Sequence, residues 1–160
     1  MKAFKTRNPM TRIELSRSEA KICVALASAE FSSATLHQTD VVLGAQLCLY
    51  FSKTEILSDE ARLLQGSSSF EADLELGFAL CEWRIMKNGR VLIDDSEKQK
   101  KDCASFLHTQ KLHAVMVADD GSLVTELTNG YCVVGCCPKP WSSGWWGLFR
   151  GEKWAIGSSE

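Results

Sequence analysis

Along the chain the spacing of apolar positions switches between helical and extended periods, and each switch delimits an expected element. Ser16-Arg17-Ser18-Glu19 has the form of a capping box, in which the serine hydroxyl meets an early helix amide and the glutamate reaches back to the cap's own amide. A helix over about Arg17 to Phe31 follows, with Leu15, Ile22, Cys23, Leu26 and Ala27 on one stripe, so it is expected to lie across a sheet. From Val41 to Ser52 the period becomes two. Leu43, Ala45, Leu47, Leu49 and Phe51 alternate with Val42, Gln46, Cys48 and Tyr50, as a strand with one well-buried face requires. Residues 58–72, with Gly66 followed by three serines, read as a loop or short helical turn, and a second strand covers Asp73 to Cys81.

Asn88-Gly89, between WRIMK and RVLI, is the clearest local signal. Both residue types accept the positive φ that a type I′ turn needs at its two central positions, so a tight hairpin is expected with Ile85 opposite Leu92 and Met86 opposite Val91. Ser96-x-x-Gln99, with Glu97 four residues before Lys101, predicts a mid-chain helix ending near Leu107 or His108. From Leu112 the segments LHAVMVA, SLVTELT and YCVVG form a meander with turns at Asp120-Gly121 and Asn129-Gly130, and GWWGLF with KWAI forms a closing hairpin. The expected class is α+β: a largely antiparallel sheet of about seven strands, as a sandwich or half-barrel, with an N-terminal helix and a mid-chain helix. Residues 1–160 are expected as a single globular domain, with 1–14 as a flexible lead-in.

Composition narrows the class of function. The formal net charge of −2 from 18 basic and 20 acidic residues leaves no electrostatic footprint for nucleic acid or an anionic membrane. The apolar run Val41 to Phe51 is interrupted by Gly44 and Gln46 and is too short to span a bilayer as a helix, and MKAFKTRNPMTRIE lacks the hydrophobic stretch of a signal peptide. Seven scattered cysteines, an odd number, fit reduced and buried thiols. A cytoplasmic protein is expected.

Candidate chemistry is sparse. Cys132, Cys136 and Cys137 with His113 are the nearest approach to a metal set, but structural zinc draws paired ligands from two segments and only one such group exists, so no metal is expected. His37, His108 and His113 have no i, i+4 spacing; no nucleophile elbow, P-loop or dinucleotide fingerprint occurs, and neither an enzyme nor a cofactor is expected. The acidic pairs Asp59-Glu60, Asp94-Asp95 and Asp119-Asp120 sit at turns or helix starts, where they serve local structure or recognise a partner. Four of the five tryptophans fall between residues 136 and 154. Trp83, one of Trp145 and Trp146, and Trp154 suit strand positions in a core, while Trp141 and the other member of the pair are expected at the surface as interface anchors.

The order CEWRIMKNGRVL, KLHAVMVADDGSLVTELTNGYCVVG and GWWGLFRGEKWAI, over about residues 73–156, resembles small β-rich bacterial immunity proteins of polymorphic and contact-dependent toxin systems. GSLVTELTNG is similar to their G-x-L-x-L-x-F-x-(D/N)-G repeat, with leucine in place of the aromatic. The resemblance implies an inhibitor that binds a cognate toxin domain, such as a nuclease, through protein–protein contact in the cytoplasm. Its contact residues would be Asp59, Glu60, Asp94, Asp95, Asp119, Asp120, Trp141, Trp145 and Trp146. The alternative is a small-ligand-binding β-rich domain whose sheet curls around a tryptophan-lined pocket.

Overall fold

In the computed structural model of the chain, the residues described are 12–14, 16–42, 46–53, 73–79, 82–94, 103–136, 145–150 and 153–156, with the backbone course alone at 12–14, 17, 42, 79, 136, 145–146, 149–150 and 153–156. The elements run β1 (Arg12–Glu14), α1 (Arg17–Phe31), β2 (Thr35–Val42), β3 (Gln46–Ser52), β4 (Leu74–Ala79), β5 (Glu82–Lys87), β6 (Arg90–Asp94), β7 (Leu112–Val117), β8 (Leu123–Leu127), β9 (Tyr131–Cys136), β10 (Trp145–Arg150) and β11 (Lys153–Ile156). They form a first sheet of order β1-β11-β10-β4-β3-β2 and a second of order β6-β5-β9-β8-β7. All pairings are antiparallel except β1 with β11. The class is α+β, as expected.

Among the described residues eleven strands stand where about seven were expected; most coincide with segments read as strands, and two match none of them. One addition is β1, which carries Arg12–Glu14 of the supposed flexible lead-in into a parallel pairing with β11. The other is β2, whose sequence TLHQTDVV hides its period. A bulge between Leu36 and Gln38 resets the alternation, so the buried positions are Leu36, Thr39 and Val41. The strand expected from Val41 is thus the end of one strand and all of the next. The mid-chain helix lies outside the described residues up to 102; from Cys103 onward the chain is a turn and a single 3-10 turn, Ser105–Leu107.

Helix α1 begins where the capping residues placed it. The Ser16 hydroxyl accepts from the Glu19 amide at 3.3 Å and donates to the Glu19 carboxylate at 2.7 Å, so the glutamate answers the hydroxyl instead of the cap's own amide. The expected apolar stripe is corrected: Ala20, Val24, Ala27 and Phe31 face the core, while Ile22 and Leu26 stand in solvent. The helix is apolar on two sides, and its smaller, tighter side packs inward. It lies along β7, where the Ser28 hydroxyl accepts the edge amide of Val115 at 3.0 Å.

The two sheets share one core. The start of β2 is stitched to the start of β7 through Ser33 N–H to Leu112 O, Leu112 N–H to Ala34 O and Leu36 N–H to Gln110 O, each 2.8 Å. Across the interior, a Cβ on Gly135 would come within 2.0 Å of the Phe78 ring, so only glycine lets β9 approach β4 this closely. Trp83, Phe51, Phe78, Leu49 and Ile85 are fully buried around this contact.

The turns fall where expected, although at Asp120-Gly121 only the glycine has positive φ, 88°, and the connection there runs over five residues between Val117 and Leu123. Asn88 and Gly89 have φ of 50° and 81°, and Asn129 and Gly130 have 61° and 78°. The hairpin register holds at Met86–Val91 but slips at the next pair: Ile85 faces Ile93, and Leu92 is the extra residue of a bulge. The two Asn-Gly turns also meet, with Asn88 N–H donating to Gly130 O at 3.0 Å. Of the cysteines whose side chains are described, Cys48 is buried and Cys23, Cys103 and Cys132 are half-buried; all four are free thiols.

Candidate functional site

Both faces of β3 are buried. Leu47, Leu49 and Phe51 enter the core, and the opposite face carries Gln46, Cys48, Tyr50 and Ser52. Register brings Asp40 beside Cys48, and Glu75 beside Tyr50, on that same face. Gln38 Nε2 donates to Asp40 Oδ2 at 3.2 Å, Gln46 Nε2 lies 3.8 Å from Cys48 Sγ, and Cys48 and Tyr50 are hydrogen-bonded. Burial pushes the Cys48 thiol up to about 12, with the charges of Asp40 and Glu75 acting in the same direction and the Tyr50 bond against it. Burial, then Cys48, raises the Tyr50 phenol as well. Both groups therefore keep their protons at neutral pH. The strip can donate hydrogen bonds to carboxylates, but it does not supply the thiolate that nucleophilic chemistry needs.

On the other side of β2, His108 Nε2 lies 3.1 Å from the Thr39 hydroxyl. Burial lowers the His108 pKa against the opposing pull of Asp40, which favours the neutral ring. Among the described residues, no three metal-ligating side chains converge. His113 and Cys132 stand on strands separated by β8.

The second sheet presents a different surface. Its core face carries Leu112, Val115, Thr125, Val133, Trp83 and Ile85. Its outer face follows from the register as two rows across the strands. One runs Met116, Val124, Val134, Arg84 and Asp94; the other runs Ala114, Glu126, Cys132, Met86 and Val91. All ten are half-buried or exposed. Glu126 sits inside the second row, flanked in register by Ala114 and Cys132. Burial raises the Cys132 thiol, and the Glu126 charge beside it adds to the effect.

Of the acidic and aromatic residues expected at an interface, only Asp94, Asp119 and Asp120 have described side chains, and they fall at two places. Asp59, Glu60, Asp95 and Trp141 lie outside the described residues. Asp94 ends β6, and Asp119 and Asp120 form the β7–β8 turn; the two places share one end of the second sheet but lie three to four strand spacings apart, about 15–19 Å at ~4.8 Å per strand. Asp119 pairs with Lys21 at 3.1 Å, both side chains well exposed. The Asp120 carboxylate accepts the Ser122 amide at 2.9 Å, which makes it a turn residue. Trp145 and Trp146 belong to β10, opposite Ala79 and Phe78. Sequence reasoning passed over Glu126, Met116, Val124 and Val134, although the alternation in SLVTELT already placed Val124 and Glu126 on one face.

Neither a family model, nor a curated protein, nor a solved structure matches the chain.

Proposed function

We propose that the chain is an immunity-type inhibitor that acts in the cytoplasm by binding a cognate toxin domain, such as a nuclease, without chemistry of its own. One observation carries this reading: a domain with a filled core leaves large apolar side chains in solvent, among them Leu26 at 68%, Ile22 at 64%, Val91 at 48% and Met116 at 42% exposed. Exposed apolar groups are common singly; here they gather on α1, at β6 and on the outer face of the second sheet, and such grouping supports a surface that another protein covers. The polar cluster at Cys48 lends support from the other direction, since its thiol and phenol hold their protons and serve the fold. The expected sandwich form is supported by the seating of Phe78 on Gly135 between the sheets. No helix among the described residues is long and apolar enough to cross a membrane.

The test is reconstitution with the product of the adjacent reading frame, assayed both for toxin activity and for binding. The expected result is a one-to-one complex with submicromolar affinity and loss of the toxin's activity. Free toxin activity in the presence of excess protein, with no complex by calorimetry, sinks the proposal.

A further inference from the structure

Three surfaces leave apolar side chains in solvent. The outer side of α1 shows Ile22, Ala25, Leu26 and Ala29 beyond Ser18, Glu19 and Lys21 of its first turns, and Lys21 is paired with Asp119. The β6 edge shows Val91 and Leu92, but its bulge disrupts the regular ladder that an added strand would extend. The outer face of the second sheet differs from both, because it sets a carboxylate among apolar neighbours. Among the described residues the Glu126 carboxylate has no hydrogen-bond or ion-pair partner, and the residue is half-buried between Ala114 and Cys132, with Val124 and Met116 in the adjoining row. A carboxylate set among apolar neighbours is a natural seat for a cation brought by another molecule. Glu82 and Asp94, at the far end of the same face, leave it acidic against the single cation Arg84.

We infer that the outer face of the second sheet, centred on Glu126, is the docking surface for the partner, and that the partner is a cationic protein surface that sets a lysine or arginine on Glu126 within a ring of apolar contacts. The inference rests on the interaction reading above and names its site and chemistry. The partner's cation meets the one carboxylate that stands inside the apolar rows, and this charge pairing sets the register and specificity of the contact. Met116, Val124, Val134 and Cys132 exclude the remaining water around it.

The experiment measures the affinity of the adjacent toxin domain for the intact protein and for Glu126→Gln, Glu126→Lys, Met116→Asp and Leu26→Asp, each first shown to melt like the wild type. Glu126→Lys and Met116→Asp are expected to weaken binding roughly 30-fold or more, and Glu126→Gln about 10-fold with a flatter salt dependence. Leu26→Asp leaves the affinity unchanged. In parallel, alkylation of Cys132, followed by peptide mass spectrometry, slows when the toxin domain is bound. Wild-type affinity in Glu126→Lys, or an unchanged Cys132 rate in the complex, overturns the assignment of this face while the inhibitor reading stands. Loss confined to Leu26→Asp moves the surface to α1 and overturns it too. A wild-type protein that binds no toxin domain removes the functional reading itself.

Discussion

Strands β3 and β8 look alike in sequence and meet opposite fates. In β3 the polar alternate face, with Cys48, Tyr50 and Ser52, is buried, and the strand is closed on both sides. In β8 the polar Thr125 is the residue turned into the core, between Val115 and Val133, while apolar Val124 stands half-exposed beside Glu126. The lesson is that alternation assigns residues to two faces, but what covers each face decides which one is dry. A polar face that is covered becomes a hydrogen-bonded strip of neutral groups. An apolar face that is uncovered becomes a surface for another molecule.

The largest test of this contrast uses pH. Moving the Cys48 thiol from its ordinary 9.0 to about 12 favours the neutral form in the folded state, on the order of 4 kcal/mol. That stability is fully present below pH 9 and is lost as pH rises toward 12, because the unfolded chain releases the proton first. Urea unfolding between pH 8 and 10.5 should show stability falling from pH 9 upward in the wild type. In Cys48→Ala the fall from pH 9 is much shallower, carried by the half-buried Cys132 thiol until the raised Tyr50 phenol joins near 10. Stability flat to pH 10.5 in the wild type would mean that the strip is wet, and the contrast with β8 would collapse.

Next in size is the contact that closes the core between the sheets. Gly135→Ala pushes a methyl into the Phe78 ring and is expected to cost about 1–3 kcal/mol, with Phe78→Leu recovering part of it in the double variant. Additive effects, measured by denaturant midpoints, would show that the sheets do not touch there. Thr125→Val should stabilise by about 1 kcal/mol, since the buried hydroxyl has no hydrogen-bond partner and valine keeps its shape. A destabilised variant would reveal a partner for that oxygen. The smallest effect belongs to the outer face of the same strand: Val124→Thr should change stability by no more than about 0.5 kcal/mol. A loss as large as that expected of a core position would show the outer face to be covered already.

What was legible along the chain was local. Ser16 and Glu19 announced the start of α1, and the Asn-Gly pairs fixed two turns, because a cap and a positive φ are settled by the residue and its immediate neighbours. The meander strands β7, β8 and β9 followed from their period and their turns. Bulges were not legible. Those at Leu36–Gln38, Leu92 and the start of β7 each insert one residue, which hides β2 and shifts the hairpin register without changing composition. The candidate surface escaped for the same kind of reason. The acidic turns stood out as pairs in sequence, whereas Glu126 and its apolar neighbours come from four different strands and become one face only through cross-strand register.

By itself the sequence determined the α+β class, the antiparallel habit of the sheets, the helix start and the tight turns, since backbone dihedrals and side-chain period are short-range properties. Tertiary structure alone decided that Ile22 and Leu26 face solvent while Ala20 and Val24 face the core, that Gly135 yields its place to Phe78, and that Glu126 stands half-buried between Ala114 and Cys132. Each of these depends on which surface is brought against which. Burial is a property of the pair of surfaces in contact, and a single strand or helix carries only half of it.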